Sequence, residues 1–178
     1  MAEDQGSGTG GSPRRIPDPG FPGDDGTADP VLAAALTSYA ASPGDQERHV
    51  DVFLALRSTR VLVPVVAVLG EAEVDEQGLA REKTSDMATV LLTGQDGRQA
   101  LLAFTGTASL IAWRADARPV PVTAVDAARS AVQEGADALV LDVAGPTTYA
   151  VEGDLLVGLA RGWTLIHTDD GFAWAEVS

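Results

Sequence analysis

The chain of 178 residues has no cysteine, a single lysine (Lys83), two histidines and only 5% aromatic residues. Without thiols there is no disulfide framework, no thiolate nucleophile and no thiolate metal site, so stability must come from packing. His49 and His167 lie far apart, and neither has a second histidine four positions on, which excludes the helical zinc-protease pattern. Long apolar runs are missing too. Val61 to Leu69 is short and interrupted by Pro64, whereas a membrane-spanning helix needs roughly 20 apolar residues. The opening MAEDQGSGTGGSPRR contains acids and no apolar core, so a secretory signal is not expected and a cytoplasmic protein is.

Positive charge is also scarce. Twelve Lys and Arg face 26 Asp and Glu, a formal net charge of −14. Nucleic-acid affinity depends on basic side chains displacing counterions, so neither nucleic acid nor an anionic membrane is an expected partner. The acidity reads first as a device for solubility. Eleven of the twelve basic residues are Arg, which with abundant Ala, Gly and Val suggests the coding bias of a high-GC bacterium.

What is present suffices for one core: 45% of the residues are hydrophobic. Residues 1–28 are Gly, Ser, Pro and Asp with few apolar side chains, and are expected to form a disordered tail. Asp29-Pro30 is a helix start, with Val31, Leu32, Ala35, Leu36 and Tyr39 on one face, so the folded domain is expected to span 29–178. Ser42-Pro43-Gly44-Asp45 reads as a capping box for a second helix carrying Val50, Phe53, Leu54 and Arg57. Arg60 to Leu69 predicts a strand, with Pro64 marking an edge or a bulge, followed by a charged loop from Gly70 to Lys83.

Met87–Thr93 and Arg98–Phe104, around Gln95-Asp96-Gly97, predict a hairpin. A short helix follows over Thr107–Trp113, then an extended piece over Pro119–Val122, and Thr123-x-x-Asp126 caps a helix that Gly135 closes. Strands over Ala138–Val143 and Thr148–Val151, a helix over Asp154–Ala160 and a hairpin of Trp163–Thr168 with Phe172–Val177 complete the pattern. Helices interspersed with hairpins predict an α+β (mixed α/β) fold, a single domain in which short amphipathic helices pack on a mixed sheet.

Cofactor and catalytic motifs are absent. No Gly-x-Ser-x-Gly elbow occurs, the lone lysine follows no phosphate-binding loop, and the Gly8 to Gly11 cluster sits in the tail, so no cofactor is expected. Glu71, Glu73, Asp75 and Glu82 have calcium-loop spacing, but Glu76 stands where that loop turns on a glycine, so no metal site is expected. Both histidines read first as structural residues, and Ser109 as helix-start chemistry. Polar and small residues do cluster at predicted element ends: Lys83-Thr84-Ser85-Asp86-Met87, Phe104-Thr105-Gly106, Trp113, Arg118-Pro119, and Asp142 before Gly145-Pro146. Loops on a rigid scaffold carry binding functions. Thr84, Asp86, Trp113, Arg118 and Asp142 are therefore the candidate ligand- or partner-binding residues, and none is assigned as catalytic.

The same residues carry a resemblance. Val61-Leu62-Val63-Pro64, Lys83 to Ala88, Ala103-Phe104-Thr105-Gly106, Trp113, Arg118-Pro119, Gly135 to Asp142 and Gly145-Pro146 are similar to the SseB N-terminal domain family, named after an enhanced serine-sensitivity protein, over roughly residues 29–162. The resemblance implies an α/β domain without an established catalytic activity, and it transfers no functional residue. Serine often stands in that family where this chain has Gly106.

Three functional readings follow. The favoured one is a non-catalytic protein-interaction or binding module, with a protein partner or small-molecule ligand the sequence does not identify. The second is a sensor of an amino-acid-like metabolite, Arg118 pairing its carboxylate. The third is a hydrolase using Asp86, Asp142 and His167. The oligomeric state is not legible in the sequence.

Overall fold

In a computed structural model, residues 20–68, 86–169 and 171–176 are described. The helices are α1 (Pro30–Ala41), α2 (Gln46–Arg57), α3 (Thr107–Trp113), α4 (Ala124–Gln133) and α5 (Gly153–Ala160). The strands are β1 (Arg60–Val68), β2 (Asp86–Thr89), β3 (Leu91–Thr93), β4 (Gln99–Ala103), β5 (Arg118–Thr123), β6 (Ala138–Leu141), β7 (Tyr149–Glu152), β8 (Thr164–Thr168) and β9 (Gly171–Ala175). The fold is α+β, with mixed strand pairing in one domain. The acidic loop Gly70–Lys83 and Thr84 lie outside the described residues.

Helix starts follow side-chain chemistry. Asp29 caps α1, its carboxylate accepting from the amides of Val31 and Leu32, with Pro30 in the first helical position where no amide is needed. Thr123 caps α4 by accepting from the Asp126 amide at 3.0 Å, as the capping-box spacing predicts. At α2 the cap is Asp45, which takes the Glu47 amide at 3.0 Å; Ser42, the expected cap, instead ends α1. The buried stripe of α2 is Val50, Val52, Phe53 and Leu56, so Leu54 faces outward, contrary to the expected face.

Among the described residues three sheets form, in the orders β2-β1-β5, β3-β4-β6-β7 and β8-β9. Every pairing is antiparallel except β4 with β6. The hairpin expected of Met87–Thr93 and Arg98–Phe104 is only half formed. Its first run divides at Val90: Leu91–Thr93 pairs with β4, while Asp86–Thr89 pairs with β1. The larger sheets join through a bridge in which Leu62 and Phe104 exchange amide–carbonyl bonds of 2.8 and 2.9 Å.

That bridge fixes the parity of β1 and explains its proline. The polar groups of Leu62 point toward Phe104, so the nitrogen of Pro64 points the same way, where β1 passes from Phe104 to β2 as its neighbour and no donor is required. The expected edge position is therefore corrected: β1 is the central strand of its sheet. Pro119 and Pro121 of β5 stand opposite Pro64 and Leu62, at positions that do not bond to β1, so their missing amides fall on the free edge.

Alternation along the strands divides the core between two faces. Val61, Val63, Leu101, Ala103, Leu139 and Leu141 join one cluster with Leu32 and Leu36 of α1, Phe53 and Leu56 of α2, the alanines of α4, and Leu156 and Leu159 of α5. Leu62, Leu102 and Phe104, one residue out of phase, pack on the other face against Leu110 of α3.

Candidate functional site

Because β4 and β6 run parallel, the chain leaves both at the same edge. Residues 104–107 and 142–147 are thus brought together beyond the carboxyl ends of two parallel strands, the place where open α/β sheets hold ligands. Strand β6 ends at Leu141, and the next residue, Asp142, has a φ of +50° that makes it the one non-glycine residue with a left-handed backbone among the described residues. Asp142 is 4% exposed.

A buried carboxylate without a cation is unstable unless donors surround it. Three do here. The Thr105 amide (2.9 Å) and the Ser109 hydroxyl (2.6 Å) donate to Oδ1, and the Thr105 hydroxyl (2.7 Å) donates to Oδ2. The Asp142 carbonyl accepts from the Gly145 amide at 2.8 Å and the Thr148 hydroxyl at 3.2 Å, closing the turn. A Cβ at Gly145 would stand 2.8 Å from the Asp142 Cβ, so this turn needs its glycine. Asp142 therefore ties the β4–α3 junction to the turn after β6.

Beside it opens a cavity of about 470 Å³, within the size range of small-ligand pockets. Its walls are α1 (Ala33, Leu36, Thr37), the first turns of α3 (Ala108, Ala112), the turn Ala144–Thr147, and the segment Gly26–Ala28. The lining contains no Lys, Arg or His, and Asp142 is its one ionisable group among the described residues.

The last wall belongs to the segment expected as a tail. Its residues 1–19 lie outside the described residues; residues 24–28 contact the body of the domain through polar groups. Arg60 donates to both carboxylate oxygens of Asp24 (2.7 and 2.8 Å), to the Thr27 carbonyl (2.6 Å) and to the Thr105 carbonyl (2.6 Å). The Arg60 hydrogen bond holds the Asp24 carboxyl below the usual carboxylate range. The Thr107 amide donates to the Gly26 carbonyl at 2.8 Å.

The residues singled out from the sequence occupy different places. Asp142 and Gly145 line the cavity. Trp113 is half-buried on the opposite face of the sheet, its ring 5.4 Å from Phe104 with the Arg114 guanidinium over it at 5.0 Å. Arg118 is exposed and pairs with Val65, while the backbone of Asp86 pairs with Val68. Both positions lie along β1 away from Arg60, the residue that reaches the site, by roughly 17 Å or more at about 3.4 Å per residue. Thr84 is outside the described residues.

Neither histidine lines the cavity. His167 packs against Phe172 in the β8–β9 hairpin, the ring centres 4.3 Å apart and the planes tilted by 56°. His49 is half-buried between Tyr39 and Tyr149, and burial lowers its pKa. The Tyr149 hydroxyl donates to the His49 carbonyl at 3.2 Å, and burial pushes its pKa up. Among the described residues, no group of three His, Asp or Glu side chains could hold a metal ion, and no helix is long and apolar enough to cross a membrane.

The sequence marks Thr105 as a polar residue at an element end and Ser109 as helix-start chemistry, but not their shared bonding to Asp142. The run Thr105-Gly106-Thr107-Ala108-Ser109 between an apolar strand and a helix supplies the donors that a buried carboxylate elsewhere requires. Nothing in the composition of residues 26–28 marks them as a wall.

Fold and cavity together define a small α+β domain with a cavity of ligand size at the carboxyl ends of two parallel strands. Residues 32–157 match the family described as SseB protein N-terminal domain. The chain belongs to that family. No curated protein and no solved structure matches it.

Proposed function

We propose that the domain is a non-catalytic binding module whose site is the cavity beside Asp142, and that it accepts an apolar group of modest size carrying no negative charge. One observation carries this reading: a cavity of about 470 Å³ lined by five alanines, Leu36, Pro146 and five threonines, whose exposed surface is mostly apolar, with a single carboxylate and no basic residue. An anionic ligand would meet Asp142 without a compensating cation, and Arg118, the expected partner of a metabolite carboxylate, is exposed elsewhere. Hydrolysis finds less support, because the Asp142 carboxylate is engaged by three donors and no histidine lines the cavity.

A branched aliphatic group could arrive on a small molecule or on a peptide, and two probes separate these sources. Amide chemical shifts are followed while 3-methylbutan-1-ol or N-acetyl-leucine methylamide is added to the full chain and to Ala33→Phe, which fills the cavity from α1. Shifts confined to residues 105–109 and 142–147 and abolished by Ala33→Phe support the site, and the stronger probe identifies the source. Shifts scattered over the surface, or unchanged in Ala33→Phe, overturn it.

A further inference from the structure

The wall formed by Gly26–Ala28 differs in kind from the other three. Ala33, Leu36, Ala112 and the turn after Asp142 belong to the packed domain within the family match of 32–157, whereas residues 24–28 precede it. The other walls are set by buried apolar packing and by the Asp142 network. Residues 22–25 and Thr27 are exposed, Gly26 and Ala28 are only partly buried, and no side chain from this stretch enters the core. What fixes the segment is a set of hydrogen bonds: three from Arg60 to Asp24 and Thr27, and those from the Thr107 amide and hydroxyl to the Gly26 carbonyl at 2.8 and 3.2 Å.

Two glycines allow it to lie flat on the start of α3. A Cβ at Gly26 would come within 2.7 Å of the Thr107 methyl, and one at Gly106 within 2.9 Å of the Ala28 nitrogen and 3.0 Å of the Gly26 carbonyl. Gly26 also has a φ of +79°, while Gly106 has an extended φ of −156° that any residue adopts. The contact at Gly106 is thus purely one of space against the segment.

We propose that Asp24–Ala28 is a releasable strap closing one side of the cavity, that Arg60 is its latch, and that access to the site is controlled by opening this strap. The inference rests on the cavity being the binding site. A segment held by polar contacts at the surface opens at a lower free energy than the core it lies on. Arg60 couples the two parts directly, because the guanidinium that grips Asp24 and Thr27 also binds the carbonyl of Thr105, whose amide and hydroxyl hold Asp142. A displaced strap leaves the floor of the cavity intact and removes only its rim.

The Thr107 amide reports the strap without reference to any ligand. It opens α3, where amides have no partner within the helix, and its acceptor is the Gly26 carbonyl. Hydrogen exchange at Thr107 is measured in the full chain, in Asp24→Asn, which weakens the latch, and in Gly106→Ala, which wedges the strap away. The Thr105 amide, bonded to Asp142, and the core amide of Leu139 serve as references. Loss of a charge-assisted pair corresponds to about a tenfold or larger rise in the opening equilibrium. Thr107 exchange should therefore rise about tenfold or more in both variants with the references unchanged, and 3-methylbutan-1-ol should dissociate correspondingly faster in NMR line shapes.

Unchanged Thr107 exchange in both variants overturns the strap. Faster exchange with unaltered probe dissociation overturns its role in access. Faster exchange in a protein that binds neither probe retains the latch and overturns the cavity as the binding site.

Discussion

Replacing Asp142 separates the negative charge of its side chain from its backbone and hydrogen-bonding roles at the centre of the site. In Asp142→Ala the Thr105 amide loses its acceptor inside the protein, which costs about 1–3 kcal/mol for a buried donor. Alanine must also adopt a φ of +50°, at roughly 1–2 kcal/mol. The two hydroxyls recover part of their loss by rotating; that of Ser109 already lies 3.0 Å from the Gly106 carbonyl. The expected destabilisation is about 3 kcal/mol. Asparagine tolerates the left-handed region, its Oδ1 can accept the Thr105 amide and the Ser109 hydroxyl, and its amide nitrogen can donate to Thr105 Oγ1 once that hydroxyl turns round. Asp142→Asn is therefore expected to cost about 1 kcal/mol or less. Urea denaturation followed by tryptophan fluorescence reads the difference as a shift in midpoint at constant slope. Equal losses for Asn and Ala would refute the reasoning, since they would make the negative charge itself the stabilising element.

Other outcomes follow from the same geometry. Burial lowers the pKa of His49 from 6.5, so the unfolded chain binds its proton more readily; the contribution of neutral His49 is fully present above pH 6.5 and declines as the pH falls through its lowered value. His49→Gln should flatten stability against pH below about 6.5, and a slope that survives this change would assign the effect elsewhere. At Gly158 an added Cβ would run into the Trp174 ring, so Gly158→Ala should cost about 1–3 kcal/mol and alter tryptophan emission, whereas wild-type stability would contradict the packing of the β8–β9 hairpin on α5. Pro121→Val places an amide on the free edge of β5, and size-exclusion chromatography should show concentration-dependent association that wild type lacks.

Local elements were legible where one or two side chains decide them. Asp29-Pro30 and Thr123-x-x-Asp126 start their helices as written, and Asp169-Asp170-Gly171 joins two strands that do pair. Strand partners were legible only in part. Val, Leu and Thr favour extended structure throughout 87–93, and no residue there signals that Thr89 and Leu91 belong to different sheets; that division lies in the pairing of β2 with β1 and of β3 with β4. Pro64 was misread for a related reason, because propensity cannot show that a central strand changes neighbours at that point.

At the site, Asp142 was visible as a carboxylate before a Gly-Pro turn. Its association with Arg118 and Asp86 was an inference from shared position at element ends, and the antiparallel register of β1 with β5 and β2 places those two positions along the strand, away from Arg60. The segment 24–28 reads as part of a disordered tail because what holds it is the Asp24 carboxylate, carbonyl groups and a distant arginine, none of which leaves an apolar pattern.

The most direct test of the central claim is whether a small apolar molecule sits in the cavity beside Asp142. Intermolecular NOEs between the methyl groups of 3-methylbutan-1-ol and the methyls of Ala33, Ala112 and Ala144 are expected, since these three side chains line it from three separate elements. Probe contacts at exposed Val31 or Ile111 without any to those three alanines would contradict the claim.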